Sequence, residues 1–309
     1  MRLIHTPVLI VLVVASASAA GRVPWHLDRL DQRTLPLDGR FDPRGDGAGV
    51  HAYVIDTGIR RTHREFEGRV DWVGDFMTGT SDQPGGLAAD DCDPPGTQSG
   101  HGTHVASLLA GRTFGVARKV SVHALRILPC GGTTRTDYDA TVRAVDWITA
   151  HGSKPAVVNI SPARWHTDNR SLDDAIVRSI RAGFVYVLSA GGVENLDAFS
   201  PQRVADAITV GSTDASDIAR QNRYGPHLTI FAPGLATQGA GSASDTAEFA
   251  GDGDSYAAPL VAGIAALYLQ QHPQATPAEV KEAIVAAATR GAVTNAGSAP
   301  NLLLHLIGP

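Results

Sequence analysis

VHAYVIDTG, residues 50–58, is the segment that indicates the fold class of this chain most clearly. Its first six residues are mostly β-branched or apolar and carry no acidic or basic group other than a histidine, and an Asp-Thr-Gly turn sequence follows. This pattern predicts a buried strand that runs into a loop. Functional groups of α/β proteins gather at the carboxyl ends of parallel strands, so Asp56 is the first candidate functional residue.

Similar apolar segments recur along the chain and alternate with segments of helical periodicity. Further strands are predicted over 120–128, 156–160, 184–188, 207–210 and 228–231. Helices are predicted over 105–109, 136–151, 172–182, 255–271 and 277–289. This alternation predicts an α/β fold with three α/β/α layers, in which helices cover both faces of a mostly parallel central sheet.

The composition narrows the class of protein. Of 309 residues, 43% are hydrophobic and 18% are charged, which favours one sizeable folded core over disorder. The formal net charge is −5 and no long basic run occurs, so nucleic acid is not expected as a partner.

The first residues have the pattern of a secretory signal. A basic Arg2 precedes the apolar run 8–14 and the small residues 15–20. The apolar run is too short for a membrane helix, which needs about 20 residues. We therefore expect a signal peptide at 1–19, a single domain at 20–309 with no prosegment evident, a secreted extracellular product and no membrane attachment after cleavage. The alternative is an uncleaved anchor.

The two cysteines, Cys92 and Cys130, fit export as well. An even cysteine count in an exported protein predicts one disulfide, which would contribute about 3–4 kcal/mol in the loop-entropy model. The alternative is a pair of unpaired thiols.

Three short motifs contain the residue types of nucleophilic catalysis. They are VIDTG at 54–58, GHGTHVA at 100–106 and GDSYAAP at 253–259. A serine hydroxyl needs an adjacent base, for which His101 is the candidate, and a buried carboxylate such as Asp56 can orient that imidazole. Ser255 is the candidate nucleophile, at the start of a predicted helix whose dipole favours negative charge. Taken singly, Asp56 fits a turn and Ser255 fits a helix cap.

These motifs, in this order, resemble those of subtilisin-like serine proteases, the subtilases, and most closely the branch of proteinase K and aqualysin. The resemblance extends over nearly the whole chain and includes VPWHLDRLDQRTLPLDG at 23–39, HALRILPCGG at 123–132, FAPG at 231–234 and SAPNLLLHL at 298–306. It implies a subtilisin-like fold and cleavage of polypeptide substrates through an acyl-enzyme, with Asp56, His101 and Ser255 as the triad. We expect a monomer.

Two departures from the family concern the oxyanion hole. The resemblance places Gly192 where relatives have the asparagine whose amide donates to the oxyanion, so the backbone amide of Ser255 remains as a donor. Asp254 stands where relatives have threonine, next to the nucleophile. Asn195 is an alternative donor from the same loop. Asp254 is harmless to an oxyanion if it is protonated or turned towards solvent.

The substrate cleft implied by the resemblance is altered too. Its residues are Ser161, Pro162, Ala163, Ser189, Ala190 and Gly191. Relatives carry Ser-Leu-Gly-Gly at the segment that begins with Ser161, and it pairs with an extended peptide through backbone groups. Pro162 has no N–H to offer such a peptide, although the pleat of a strand can turn that position away from it.

No cofactor is expected for catalysis, and no metal ligand is predicted. A structural calcium ion of the proteinase K type would need a carboxylate at the position of Thr229, which makes that site doubtful. The i, i+3 pair of His101 and His104 has a second interpretation as half of a metal site, completed by Asp90, Asp91 or Asp93.

Three functions follow for comparison. The first is a secreted serine endopeptidase with a weakened oxyanion hole, and the second is a catalytically impaired pseudoprotease that acts as a binding module. The third is a lipase of the Gly-Asp-Ser type, suggested by residues 253–255. No aspartate follows Ser255, and Ala257 breaks the Gly-x-Ser-x-Gly elbow, so the third is disfavoured.

Overall fold

The computed structural model describes residues 23–77, 91, 100–128, 138–161, 168–191, 196–220 and 224–308. Over these residues the central sheet has nine strands, which are β1 His51–Asp56, β2 Val70–Asp75, β3 Ser121–Arg126, β4 Ala156–Ile160, β5 Val185–Ser189, β6 Ile208–Thr213, β7 Ile230–Pro233, β10 Thr289–Arg290 and β11 Leu302–Leu303. Their order across the sheet is β10-β11-β7-β6-β5-β4-β1-β3-β2. A separate two-stranded sheet joins β8 Thr237–Ala240 to β9 Glu248–Gly251.

Helices pack on both faces of the large sheet. They are α1 Trp25–Asp28, α2 His101–Ala110, α3 Tyr138–His151, α4 Arg170–Arg181, α5 Asp254–Gln271 and α6 Pro277–Ala287. Every strand pair of the large sheet is parallel except β10 with β11. The expected α/β class, with three layers and a mostly parallel sheet, is confirmed.

The alternation of side chains along β1 divides the core into two parts. Ala52 and Val54 lie in a cluster with apolar residues of α2 and α5, whereas Tyr53 and Ile55 lie in a second cluster with α3 and α4. This is the two-residue period of a strand whose faces are both covered. Because β1 pairs with β3 on one side and with β4 on the other, its last residue, Asp56, ends an interior strand of the sheet and not an edge strand.

The predicted elements differ from the structure mainly at the sheet edge and at element ends. The helix expected at 105–109 begins earlier, at His101, and the strand expected at 120–128 is shorter. Strand β2 was not predicted, because its sequence VDWVGD contains two aspartates and a glycine, which have low strand propensity. It pairs only with β3, at the edge, across a register shift between Trp72 and Gly74.

Among the described residues, no helix has both the length and the apolar character that a bilayer span requires.

Candidate active site

Asp56 and His101 form a hydrogen-bonded pair at the carboxyl end of β1. The carboxylate of Asp56 is fully buried, and its Oδ1 lies 2.7 Å from His101 Nδ1. A carboxylate only accepts, so Nδ1 of the ring carries the hydrogen and, in the neutral imidazole, Nε2 is the acceptor. The same Oδ1 also accepts a bond of 2.8 Å from the backbone N–H of Thr57. The pair therefore has the tautomer that a general base requires.

Glycines bring the start of α2 close to β1. Gly100 has a φ of 50°, in the left-handed region, and a Cβ there would lie 2.4 Å from the Cβ of Ser242. A Cβ at Gly102 would lie 2.2 Å from the carbonyl oxygen of Gly58. Only glycine tolerates both the conformation and the close approach, so the Gly-His-Gly sequence places the His101 ring beside Asp56.

Ser255 lies in the first turn of the buried helix α5. The residue is 8% exposed, and its Oγ donates a hydrogen bond of 2.7 Å to the carbonyl oxygen of Ser161, which directly follows β4. The ring of the next residue, Tyr256, lies 5.5 Å from the ring of His101, centroid to centroid. Helices α2 and α5 thus bring the imidazole and the hydroxyl to the same edge of the sheet.

The carboxylate of Asp254 points into the protein and not towards solvent. The residue is 5% exposed, and its Oδ1 accepts hydrogen bonds from Ser212 N at 3.0 Å, Ser212 Oγ at 2.6 Å and Tyr224 Oη at 2.6 Å. Burial and the negative charge of Asp254 raise the pKa of Tyr224, so this hydroxyl remains a donor. Of the two conditions under which Asp254 would be harmless, a turn towards solvent is not what the structure has, because hydroxyl and amide donors of β6 and Tyr224 take the place of water.

The described residues of the expected substrate cleft lie together at the ends of β4 and β5. Ser189 ends β5, and its Oγ donates to the carbonyl oxygen of Ser161 at 3.4 Å. Ser161, Ser189 and Ala190 are buried, and Gly191 follows with a φ of 70°. The ends of β4 and β5 therefore lie next to Ser255, whose hydroxyl contacts Ser161. A segment that binds a peptide substrate would need this position.

Several predicted residues lie outside the described part of the chain. They are Asp90, Cys92, Asp93, Cys130, Pro162, Ala163, Gly192 and Asn195. The disulfide and the oxyanion position therefore stay predictions.

Asp91 has a different environment from the one a metal ligand needs. Its Oδ1 accepts from Thr57 Oγ1 at 2.8 Å and its Oδ2 accepts from Thr103 N at 2.8 Å. The His104 ring packs against Phe249, with 4.2 Å between ring centroids. In the ranges that the structure describes, no three His, Cys, Asp or Glu side chains form a group suited to a metal.

Thr229 does not suit a calcium site either. Its hydroxyl oxygen accepts a hydrogen bond of 3.1 Å from the backbone N–H of Thr209. Calcium favours carboxylate and carbonyl oxygens, and a neutral hydroxyl already in use is a poor substitute. The proteinase K type of calcium site therefore does not fit the residues at this position.

The sequence analysis did not identify the residues that donate hydrogen bonds to the buried carboxylates of Asp91 and Asp254. These donors are Thr57, Ser212 and Tyr224. Only Thr57 had a signal, because it lies next to Asp56 and within the DTG motif. Tyr224 and Asp254 are 30 residues apart, and nothing in the sequence around Tyr224 indicates that it binds a carboxylate.

A cavity of about 1050 Å³ lies at the opposite end of the sheet. Residues of its lining come from the beginning of β4, the end of α4 and the beginning of α6, among them Ala156, Ile180 and Pro277. The cavity lies near the amino ends of the strands, whereas Asp56 and Ser161 lie at the carboxyl ends. The large cavity is therefore not the candidate active site.

Comparison with known proteins finds relatives that are described as serine proteases. The chain is 46% identical to "Extracellular serine proteinase" of Thermus sp. (strain Rt41A), an alignment that covers 91% of this chain and 65% of the relative. It is 38% identical to "Alkaline serine exoprotease A" of Vibrio alginolyticus, covering 95% of this chain and 52% of that protein. The chain thus spans between about half and two thirds of the length of these relatives.

A solved structure is also similar to this chain. The crystal structure of a cold adapted subtilisin-like serine proteinase superposes with a TM-score of 0.82 at 35% sequence identity, covering 93% of this chain and all of the other. Residues 47–306 match the subtilase family, Peptidase S8. This chain belongs to the subtilase family.

Proposed function

We propose that this chain is a secreted serine endopeptidase that hydrolyses polypeptides with Asp56, His101 and Ser255. The observation that carries the proposal is the buried 2.7 Å hydrogen bond between Asp56 and His101. It lies at the sheet edge where α5 begins with a buried serine. The relative from Thermus, described as an extracellular proteinase, and the secretory pattern at 1–19 support export, and we propose that the product acts as a monomer.

In the proposed reaction His101 Nε2 takes the proton of the Ser255 hydroxyl while Oγ attacks the peptide carbonyl carbon. Asp56 stabilises the imidazolium that forms. The C–N bond then breaks, and the imidazolium gives its proton to the leaving amine, which leaves an acyl group on Oγ. A water molecule, deprotonated by His101, then attacks the ester carbon. The C–Oγ bond breaks, Oγ takes the proton back from His101, and the acid is released.

The hydroxyl of Ser255 must leave its bond to the Ser161 carbonyl before it can attack. This bond is 2.7 Å long. An extended peptide that pairs with this segment brings backbone N–H groups, which compete for the same carbonyl oxygen. Substrate binding would then release the hydroxyl towards His101.

The oxyanion hole is proposed to be weak but present. The backbone N–H of Ser255 lies in the first turn of α5, where it has no acceptor within the helix and the dipole favours an anion. Gly192 offers no side-chain donor. Removing that donor costs about 10²–10³-fold in turnover, a magnitude known from subtilisin itself. The hydrogen bonds that satisfy the Asp254 carboxylate reduce its repulsion of a developing oxyanion.

The alternative is a catalytically impaired subtilase that binds polypeptides without cleaving them. Two observations favour it, the glycine at position 192 and the resting bond between Ser255 and Ser161. In this alternative the Ser255 hydroxyl keeps its hydrogen bond to the Ser161 carbonyl oxygen, and His101 does not deprotonate it.

A covalent probe separates the two functions. Folded protein is treated with a fluorophosphonate and analysed by intact mass, beside Ser255→Ala and beside Ser179→Ala, which removes a buried serine of α4. A single adduct that is lost only in Ser255→Ala, with cleavage of casein, supports the endopeptidase. A folded protein that forms no adduct and cleaves no casein rejects it and leaves the binding module.

A further inference from the structure

Asp91 has a buried carboxylate that contacts the segment after Asp56 and the helix of the candidate base, His101. The residue is 9% exposed. One carboxylate oxygen accepts the hydroxyl of Thr57, and the other accepts the backbone N–H of Thr103, each at 2.8 Å. Thr57 follows Asp56 at the end of β1, and Thr103 lies two residues after His101 in α2. A single side chain therefore connects the strand that carries Asp56 to the helix that carries His101.

The start of α2 depends on these contacts. The residue before the helix, Gly100, has no side chain to cap it, although the first amides of every helix lack acceptors within the helix. The N–H of Gly102 donates to Thr57 Oγ1 at 2.9 Å, and the N–H of Thr103 donates to Asp91. Two amides of the first turn are thus satisfied by side chains from elsewhere in the chain, and a negative charge complements the helix dipole.

Thr57 completes the connection. Its hydroxyl donates to Asp91 and accepts from Gly102, while its backbone N–H donates to the same Asp56 Oδ1 that accepts from His101. Loss of the Thr57 hydroxyl removes the acceptor of the Gly102 N–H, and loss of the Asp91 carboxylate removes the acceptor of the Thr103 N–H. In each case a buried amide of the first turn of α2 loses its hydrogen bond, and the turn is free to shift.

We propose that Asp91 is a positioning residue for the reaction, acting through Thr57 and the first turn of α2 to hold His101 against Asp56. This inference rests on the proposed function for its consequence in turnover, but its geometric content concerns the Asp56–His101 pair alone. A displacement of reacting groups by an ångström lowers rates by up to about 100-fold, whereas binding of the peptide depends on the distinct edge of β4 and β5.

The test compares Asp91→Asn and Thr57→Val with the wild type. Thr57→Ser keeps the hydroxyl and serves as the conservative variant. Thr276→Ala removes the side-chain cap of another helix, α6, and serves as the control for a purely structural loss. The readouts are kcat and KM on a peptide substrate, thermal unfolding, and the NMR resonance of the His101 Nδ1 proton in protein with labelled histidine.

We expect kcat to fall about 10–100-fold in Asp91→Asn and Thr57→Val, with KM changed less than about twofold and the Nδ1 resonance shifted or broadened. Thr57→Ser recovers most of the loss, and Thr276→Ala changes neither kcat nor the resonance. Lower thermal stability with unchanged kcat and resonance in Asp91→Asn and Thr57→Val would overturn the proposal. If Asp91→Asn does not fold, the two Thr57 variants decide in the same way.

The resonance also separates this inference from the proposed function. A wild-type protein without peptidase activity would reject the endopeptidase, yet the Nδ1 resonance still shows whether Asp91 holds the pair. An unchanged resonance in an active enzyme rejects the inference and leaves the endopeptidase standing.

Discussion

Replacing Tyr224 by phenylalanine tests whether Asp254 is held as a buried carboxylate. The hydroxyl of Tyr224 donates to Asp254 Oδ1 at 2.6 Å, and the residue is 1% exposed. Its ring packs edge-on against Phe231, 5.3 Å between centroids, and phenylalanine keeps that packing. The substitution therefore removes one hydrogen bond to a charged group without opening a cavity.

The expected loss follows from this contact. Hydrogen bonds to charged groups contribute about 1.5–3 kcal/mol, and the two bonds from Ser212 remain in place. We expect Tyr224→Phe to lower the free energy of unfolding by about 2 kcal/mol, which lowers Tm by about 3 °C in a chain of this size. Unfolding is measured by calorimetry and in urea, in a Ser255→Ala background so that autolysis does not interfere.

Tyr186→Phe is the matched control. Tyr186 is equally buried, but its hydroxyl donates to the neutral Ser179 Oγ at 2.9 Å. Its loss should cost about 1 kcal/mol, since the acceptor is uncharged. A double-mutant cycle of Tyr224→Phe with Asp254→Asn should give a coupling energy of about 1 kcal/mol or more. A cost for Tyr224→Phe no larger than for Tyr186→Phe, with coupling near zero, would refute a charged, hydrogen-bonded Asp254.

Two further predictions concern stability. Burial lowers the pKa of His26 to about 4, of His104 to about 3 and of His123 to about 4, so the unfolded chain, whose histidines titrate near 6.5, binds more protons. Stability should therefore be lost as the pH falls from about 6.5 to 4, by about 2 kcal/mol for each histidine at pH 5, and urea midpoints that stay level over this range would contradict the assignment. Arg29→Met leaves the buried Asp217 without its bidentate partner and should cost about 3–5 kcal/mol in urea unfolding. Arg29→Met with Asp217→Asn should regain part of this loss, because asparagine removes the buried charge and is tolerated at the φ of 60° of this residue. A single variant as stable as the wild type would show that the pair is not buried as described.

The fold class and the candidate triad could be predicted from local patterns in the sequence. Short apolar strands that alternate with helices have few arrangements other than a covered parallel sheet, and the strand at 50–55 was placed within one residue of β1. Asp56 and His101 were recognisable because each lies in a short motif at an element end. The signal there is local, since the Asp-Thr-Gly and Gly-His-Gly sequences fix the backbone at the residue that acts.

The roles of the neighbouring carboxylates depend on contacts between residues that are distant in the chain. Asp91, considered from the sequence as a metal ligand, accepts hydrogen bonds from Thr57, 34 positions away, and from Thr103. Asp254, adjacent to the nucleophile, accepts bonds from Ser212, 42 positions away. A carboxylate is charged and has several acceptor sites, so its role depends on which donors surround it. Those donors come from strands and helices distant in the chain, and folding alone brings them together.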